Sequence, residues 1–292
     1  MRSLLFVPAD SARKLARAPE SGADVLLVDL EDSVAASAKG LARAGALAFL
    51  QGRATGPLVY VRINGLETGL ADADLAAVMA GKPNGILLPK SAGGRDVQHL
   101  SAKLAVHEAE NGMKAGATRI LAIATETAAS LFQLGTYAGA SGRLAGLAWG
   151  AEDLSADLGA ETSRDGEGAL TGPYALARTL TLLGAASAGV AAIDTVFVDF
   201  RDEAGLRREC EAARRDGFSG KMAVHPGQVA VINAAFTPSA EALARAGAVV
   251  AAFAAAPGAG VVALGGMMLD LPHLKRAERV LGRANGKASV ES

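Results

Sequence analysis

One alternation recurs eight times along the first 226 residues, and few folds accommodate it. Short runs rich in Val, Leu and Ile are SLLFVPA (3–9), VLLVDLED (25–32), LVYVRIN (58–64), GILLPK (85–90), RILAIAT (119–125), LAGLAWG (144–150), IDTVFVD (193–199) and GKMAVHP (220–226). Little apolar/polar alternation within them suits strands buried on both faces, as parallel strands covered by helices are. Between them, ADLAAVMAG, DVQHLSAKLAVHEAENG and EAGLRRECEAARRDG place apolar residues three and four apart and end in Gly, the usual helix stop. Eight such alternations give either a doubly wound sheet or a closed (β/α)8 TIM barrel.

The polar residues choose between these. Asp10, Glu31, Asp32, Arg62, Asn64, Lys90, Glu126, Asp153, Asp199 and His225 all fall at or just beyond the C-terminal ends of different strands. A barrel gathers those ends at one mouth, whereas a doubly wound sheet unites only the groups near its switch point. The spread therefore predicts a barrel over residues 1–230. No G-x-G-x-x-G or P-loop argues for a dinucleotide or nucleoside triphosphate fold. The glycine pair in SAGGRDV (91–97) reads as the lead into a helix. Two segments break the rhythm. The polar, glycine-rich 154–173 is too long for a plain connection and reads as an active-site loop. Residues 231–292 hold an alanine-rich helix (240–256), a Pro-Gly break, GGMMLD (265–270) and the basic helix PHLKRAERVLGRA, a C-terminal helical extension.

Composition narrows the partners. Among 292 residues, 29 Lys and Arg stand against 30 Asp and Glu, so no overall field recruits nucleic acid or an acidic membrane. Only four consecutive apolar residues precede Pro8, and the longest low-polarity run, Ala246 to Ala256, falls short of the roughly 20 residues of a membrane span. A cytoplasmic protein is expected. The single cysteine, Cys210, forms no internal disulfide and sits in a helical run.

Glu126 and Asp153 end consecutive strands, so a barrel holds them side by side, where a hard divalent cation takes a few carboxylate oxygens and leaves its other positions open. They could equally serve helix starts, Asp153 as an N-cap and Glu126 in a first turn. Arg62, in the apolar VYVRIN, either balances a protein carboxylate or awaits an oxyanion on a ligand. Asp29, Glu31 and Asp32 could face the mouth or pair with Arg62 or Lys90. His225 could be an acid or base, although a histidine at a rim is more often structural. Nucleophile arrangements of Ser or Cys and Cys/His metal spacings are absent from the sequence.

The motifs RSLLFVPADSARK, GADVLLVDLEDSV, VRIN, GILLPKS, the Glu of IATETAAS, GLAWGAEDLSADLG, GFSGKMAVHP and GGMMLDLPHLKRAERVL span nearly the whole chain. Together they resemble the HpcH/HpaI aldolase and citrate lyase β-subunit family, in its branch of acyl-CoA lyases. Ala9, where the family commonly has glycine, and Gly227, at a variable position, depart from the pattern without touching a proposed ligand.

The resemblance implies a (β/α)8 barrel that binds Mg2+, with Mn2+ as a substitute, through Glu126 and Asp153. It further implies that Arg62 holds the oxygens of a 2-oxo acid and that backbone N–H groups over Gly150, Ala151, Glu152 and Asp153 hold its carboxylate. Phe6, Arg13 and Lys14 would line a coenzyme A channel. Asp270 would lie on a C-terminal lid over a neighbouring subunit's site, in a homotrimer or dimer of trimers, and exchange a proton with the acyl carbon. It could otherwise cap the helix that follows. The implied activity is cleavage or formation of a 3-hydroxy-3-carboxy acyl-CoA thioester, such as malyl-CoA or citramalyl-CoA, to acetyl-CoA and glyoxylate or pyruvate. A citrate lyase β subunit acting on a citryl carrier protein, a malyl-CoA thioesterase and a non-catalytic CoA-ligand barrel are the alternatives.

Overall fold

The computed structural model describes residues 1–53 and 55–284. Eight parallel strands, β1 (Ser3–Pro8), β2 (Val25–Asp29), β3 (Leu58–Arg62), β4 (Gly85–Leu88), β5 (Arg119–Ile123), β6 (Leu144–Ala148), β7 (Ala191–Asp194) and β8 (Gly220–Ala223), pair in sequence order and close when Leu5 meets Ala223. The helices are α1 (Ala12–Arg17), α2 (Lys39–Gly52), α3 (Ala71–Val78), α4 (Gly94–Glu110), α5 (Ala128–Leu131), α6 (Ala151–Leu158), α7 (Gly172–Ala188), α8 (Glu203–Asp216) and α9 (Val229–Phe236). The expected (β/α)8 barrel is therefore the observed one.

Strand periodicity assigns each residue a side. Leu4, Val25, Leu27, Tyr60, Leu121 and Ile193 belong to one buried cluster that fills the barrel interior. Alternation then turns Phe6, Asp29 and Arg62 inward near the mouth, two residues beyond Leu4, Leu27 and Tyr60. It turns Asp194 and Lys221 outward, next to Ile193 and Met222 of that cluster. Asp194 and Lys221 are register partners and fully buried, and they form an ion cluster with Arg178 of α7 and Glu209 of α8. Cys210 is buried beside them, its thiol pushed up to about 12 by burial.

The chain divides into two compact units, Met1–Asn233 and the part from Ala234 onward. In the second, α10 (Ala240–Ala254), β9 (Val261–Leu264), β10 (Met267–Asp270) and α11 (Leu271–Ala284) share a small core of Ala246, Val249, Phe253, Val262, Leu269 and Ala277. The strands form an antiparallel hairpin through Gly265 and Gly266, whose φ values are +57° and +78°. The sequence pattern alone assigns GGMMLD no strand. The two positive φ angles explain why Gly-Gly makes a hairpin turn here.

Two further expectations change. The seventh strand stops at Asp194, so Val198 and Asp199 lie in an exposed loop. That loop is fixed by the buried Gln228, which donates to Phe197 O at 2.7 Å and accepts from Val224 N–H, removing the backbone from the ladder. Of the segment expected as an active-site loop, residues 154–158 instead complete α6, which Gly159 ends with φ +64°. Among the described residues no helix is long and apolar enough to cross a membrane.

Candidate active site

The mouth is built from the inside outward. Arg62 and Asp29 are register partners on β3 and β2, and two hydrogen bonds join them, Nε to Oδ1 at 2.7 Å and Nη2 to Oδ2 at 2.6 Å. Burial alone would push Asp29 up, but the guanidinium outweighs it and holds the carboxyl below its usual range. Burial opposes the Arg62 charge too, and Asp29 overcomes it. The guanidinium lies 4.8 Å from the Phe6 ring centroid, a cation–π contact that fixes its other face. Only Nη1 points onward, 3.0 Å from Glu31 and 3.4 Å from Asp32.

Glu31 is 5% exposed, and its Oε2 has no well-formed hydrogen bond. Burial pushes its carboxyl up to about 7 even though Arg62 and Lys90 pull the other way. Lys90 Nζ sits 2.7 Å from Glu31, 3.4 Å from Asp32 and 3.3 Å from Asp153. The Lys90 N–H donates to Glu126 Oε2. Glu126 is buried, and burial raises it well above an ordinary glutamate, with further repulsion from Asp153 and Glu31.

Neither carboxylate is occupied as a helix cap. Thr127 and Ser130 form the capping box of α5, freeing Glu126. Gly150 is the N-cap of α6 and Asp153 lies in the first turn. A Cβ on Gly150 would come within 2.8 Å of Glu126 Cγ, so glycine lets the two strand ends approach. Gly150 offers no side-chain cap, and the first-turn N–H groups over Ala151, Glu152 and Asp153 lack intrahelical acceptors. The Glu152 side chain itself is exposed.

An all-oxygen pair, with one member raised by burial and by its neighbour's charge, fits a hard divalent cation, which takes one or two protein carboxylates and keeps other positions for water or substrate. Among the described residues no group of three or more His, Cys, Asp or Glu forms a closed metal cage. Mg2+ or Mn2+ suits such a donor set better than Zn2+.

The structure brings Phe6, Arg62, Glu126 and Asp153 to one mouth, with Gly150 and Ala151 beside them. Arg13 and Lys14 are exposed on α1 and have no ion-pair partner among the described residues. Asp270 ends β10 in the second unit, half-exposed, and His273 bonds to its carboxylate and holds it below its ordinary range. His225 stacks on Phe200 and accepts the Gly227 N–H, a local capping role. Asn64 spends its amide on Leu30 O and on Asp74. Asp10 lies in an exposed turn. Sequence reading missed Asp194, which accepts the Trp149 indole N–H at 2.7 Å and so anchors the residue preceding Gly150. Its signal is an acid inside an apolar run.

Comparison with known proteins places this geometry in a lineage. Residues 2–226 match the HpcH/HpaI aldolase/citrate lyase family. Citrate lyase subunit beta of Leuconostoc mesenteroides subsp. cremoris is 34% identical over 294 residues, covering 100% of this chain and 95% of that protein. The mitochondrial citramalyl-CoA lyase of Rattus norvegicus is 32% identical (96% and 85%), and the (3S)-malyl-CoA thioesterase of Cereibacter sphaeroides is 33% identical (100% and 97%). Among solved structures, protein CitE from Mycobacterium tuberculosis, in complex with magnesium, acetoacetate and coenzyme A, superposes with a TM-score of 0.76 at 34% identity, covering 97% of this chain and 98% of that one.

Proposed function

The chain belongs to the HpcH/HpaI aldolase/citrate lyase family, and from that membership we propose a Mg2+-dependent carbon–carbon lyase acting on a 3-hydroxy-3-carboxy acyl-CoA thioester, with malyl-CoA and citramalyl-CoA as substrates. The observation that carries the reading is Glu126 beside Asp153, two carboxylates from adjacent strand ends with too little positive charge around them, next to an Arg62 locked in place. The relatives named citramalyl-CoA lyase and citrate lyase subunit beta, and the magnesium and coenzyme A in the CitE structure, support the substrate class and the metal.

Glu126 and Asp153 would hold the cation. When bound, it supplies the positive charge that polarises the substrate's hydroxyl and carboxylate oxygens. Asp29 and Phe6 fix Arg62 so that its Nη1 edge, turned toward the mouth beside Glu31 and Asp32, meets the oxygens of the 2-oxo acid. The N–H groups at the start of α6 take the carboxylate. Breaking the carbon–carbon bond, with the hydroxyl proton passing to solvent water, turns the hydroxyl carbon into the carbonyl of glyoxylate or pyruvate and leaves the bonding electron pair in the thioester enolate. Asp270, from a neighbouring subunit of a homotrimer or dimer of trimers, returns a proton to the enolate carbon, and in condensation it removes one. His273 holds that carboxyl below its ordinary range, which favours the form that abstracts a proton in condensation; in cleavage the proton it delivers is first taken from solvent. Phe6, Arg13 and Lys14 serve the CoA moiety, the two exposed cations matching its phosphates.

The test offers malyl-CoA and citramalyl-CoA separately with Mg2+ and records free thiol and keto acid together. Keto acid with acetyl-CoA, suppressed by EDTA, is the expected result. Thiol with malate and no keto acid would replace the lyase by a thioesterase, the reading that the Cereibacter relative favours. Turnover only of a carrier-linked citryl thioester would identify a citrate lyase β subunit.

A further inference from the structure

Lys90 closes β4's run with φ +50°, a left-handed backbone that lysine rarely adopts. That conformation lets one residue work in two directions. Its backbone N–H donates to Glu126, while its side chain brings Nζ to 3.3 Å from Asp153 and 2.7 Å from Glu31. Both carboxylates of the cation pair are thus held by the same residue through different atoms. The contact with Glu31 is short and the one with Asp153 is long, so Asp153 is the partner the ammonium can release without losing its anchorage.

We propose that Lys90 is the resident counter-ion of the cation site: its ammonium steadies Asp153 while no divalent ion is bound, and then remains on Glu31 and Asp32, from where its charge weakens cation affinity. The backbone N–H holds Glu126 in both situations. The proposal rests on the reading of Glu126 and Asp153 as the cation pair. Lys90 is a positioning residue by this account, since it acts on those carboxylates rather than on reacting atoms. A purely structural lysine would lower stability and cation binding together when removed. A counter-ion moves them in opposite directions, because the same positive charge that supports the metal-free mouth repels the incoming cation.

Mn2+ binding to EDTA-treated protein, followed by electron paramagnetic resonance of free Mn2+, separates the two roles. Lys90→Met is expected to bind Mn2+ about tenfold more tightly than wild type. Its melting temperature without metal is expected to fall, and its rise on adding Mn2+ to exceed that of wild type. Lys90→Gly, which adopts the positive φ freely, covers the case in which Lys90→Met does not fold and is expected to tighten binding likewise. Lys90→Arg keeps the charge and is expected to stay within about threefold of wild type. Glu126→Gln added to any of these should abolish binding, which assigns the signal to this site. If wild type binds Mn2+ and the Met and Gly variants bind equally or more weakly, the counter-ion role is wrong. If wild type binds none at millimolar Mn2+, the cation pair itself is wrong and this inference falls with it.

Discussion

Two buried glutamates at opposite ends of the barrel make the sharpest contrast in this protein. Glu108 lies at the floor, near the N-terminal strand ends, 1% exposed. Arg143 grips it with two bonds of 2.6 and 2.7 Å, and the N–H groups of Gly116 and Thr118 complete its acceptors. Burial would raise its carboxyl, yet those donors hold it down at about 2. Glu31, at the mouth and similarly buried, rises to about 7. The floor matches one carboxylate to one guanidinium. At the mouth, Arg62 and Lys90 face Asp29, Glu31, Asp32, Glu126 and Asp153. Burial alone therefore does not separate structural charges from functional ones; charge matching does. The conformity of each end to its place in a (β/α)8 barrel, stability below and chemistry above, follows from that difference.

The contrast can be broken most forcefully at Glu126. Glu126→Gln keeps an acceptor for the Lys90 N–H but removes one carboxylate of the proposed cation pair, so kcat/KM at high Mg2+ is expected to fall at least ~10^3-fold. Urea unfolding of the metal-free variant should show a gain of about 1 kcal/mol, because an unmatched buried charge has gone. A variant that is both active and no more stable would dissolve the distinction between mouth and floor. Arg143→Met tests the other end. It strands the Glu108 carboxylate, and unfolding should show a loss of about 3–5 kcal/mol while kcat per folded molecule stays unchanged.

The two ends also respond oppositely to pH. Between an ordinary carboxyl value near 4.5 and about 7, folded protein keeps a proton on Glu31 that the unfolded chain has lost. Raising pH through that window therefore removes up to about 3 kcal/mol of stability, present in full below 4.5. Glu108 runs the other way. Its contribution is complete above 4.5 and disappears as pH falls through about 2. Urea midpoints of Glu31→Gln should fall less than those of wild type between pH 5 and 7, the remaining loss belonging to Glu126, which burial raises too; a profile parallel to wild type would show that Glu31 is not a group responsible. The smallest effect belongs to Trp149→Phe, which removes the indole bond to Asp194. Unfolding should register about 1 kcal/mol, with a modest rise in the Mg2+ needed for half-maximal activity.

Much of this was legible before folding. Arg62 ends its strand and Glu126 and Asp153 follow closely on the ends of theirs, and closure of an eightfold barrel brings strand ends together whatever the helices do. The pairing of Arg62 with Asp29 was not decided by the sequence, because it depends on strand register, and Arg62 could have faced any of several acids. Nor does a lysine advertise a left-handed backbone, so Lys90's double contact was invisible. Trp149 and Asp194 meet through side chains 45 residues apart in sequence. The Val261–Asp270 hairpin, by contrast, had a readable cue in Gly-Gly between two short apolar runs. Asp199 was misplaced because Val196 to Val198 continue the apolar pattern after Gln228 has drawn the backbone out of the sheet.

The most direct test is an anomalous difference map from crystals grown with MnCl2 and pyruvate. A single strong peak bonded to one oxygen each of Glu126 and Asp153, with Lys90 Nζ shifted onto Glu31 and Asp32, is the expected result. Manganese bound elsewhere, or a mouth in which Lys90 still bridges Asp153 at saturating metal, would contradict it.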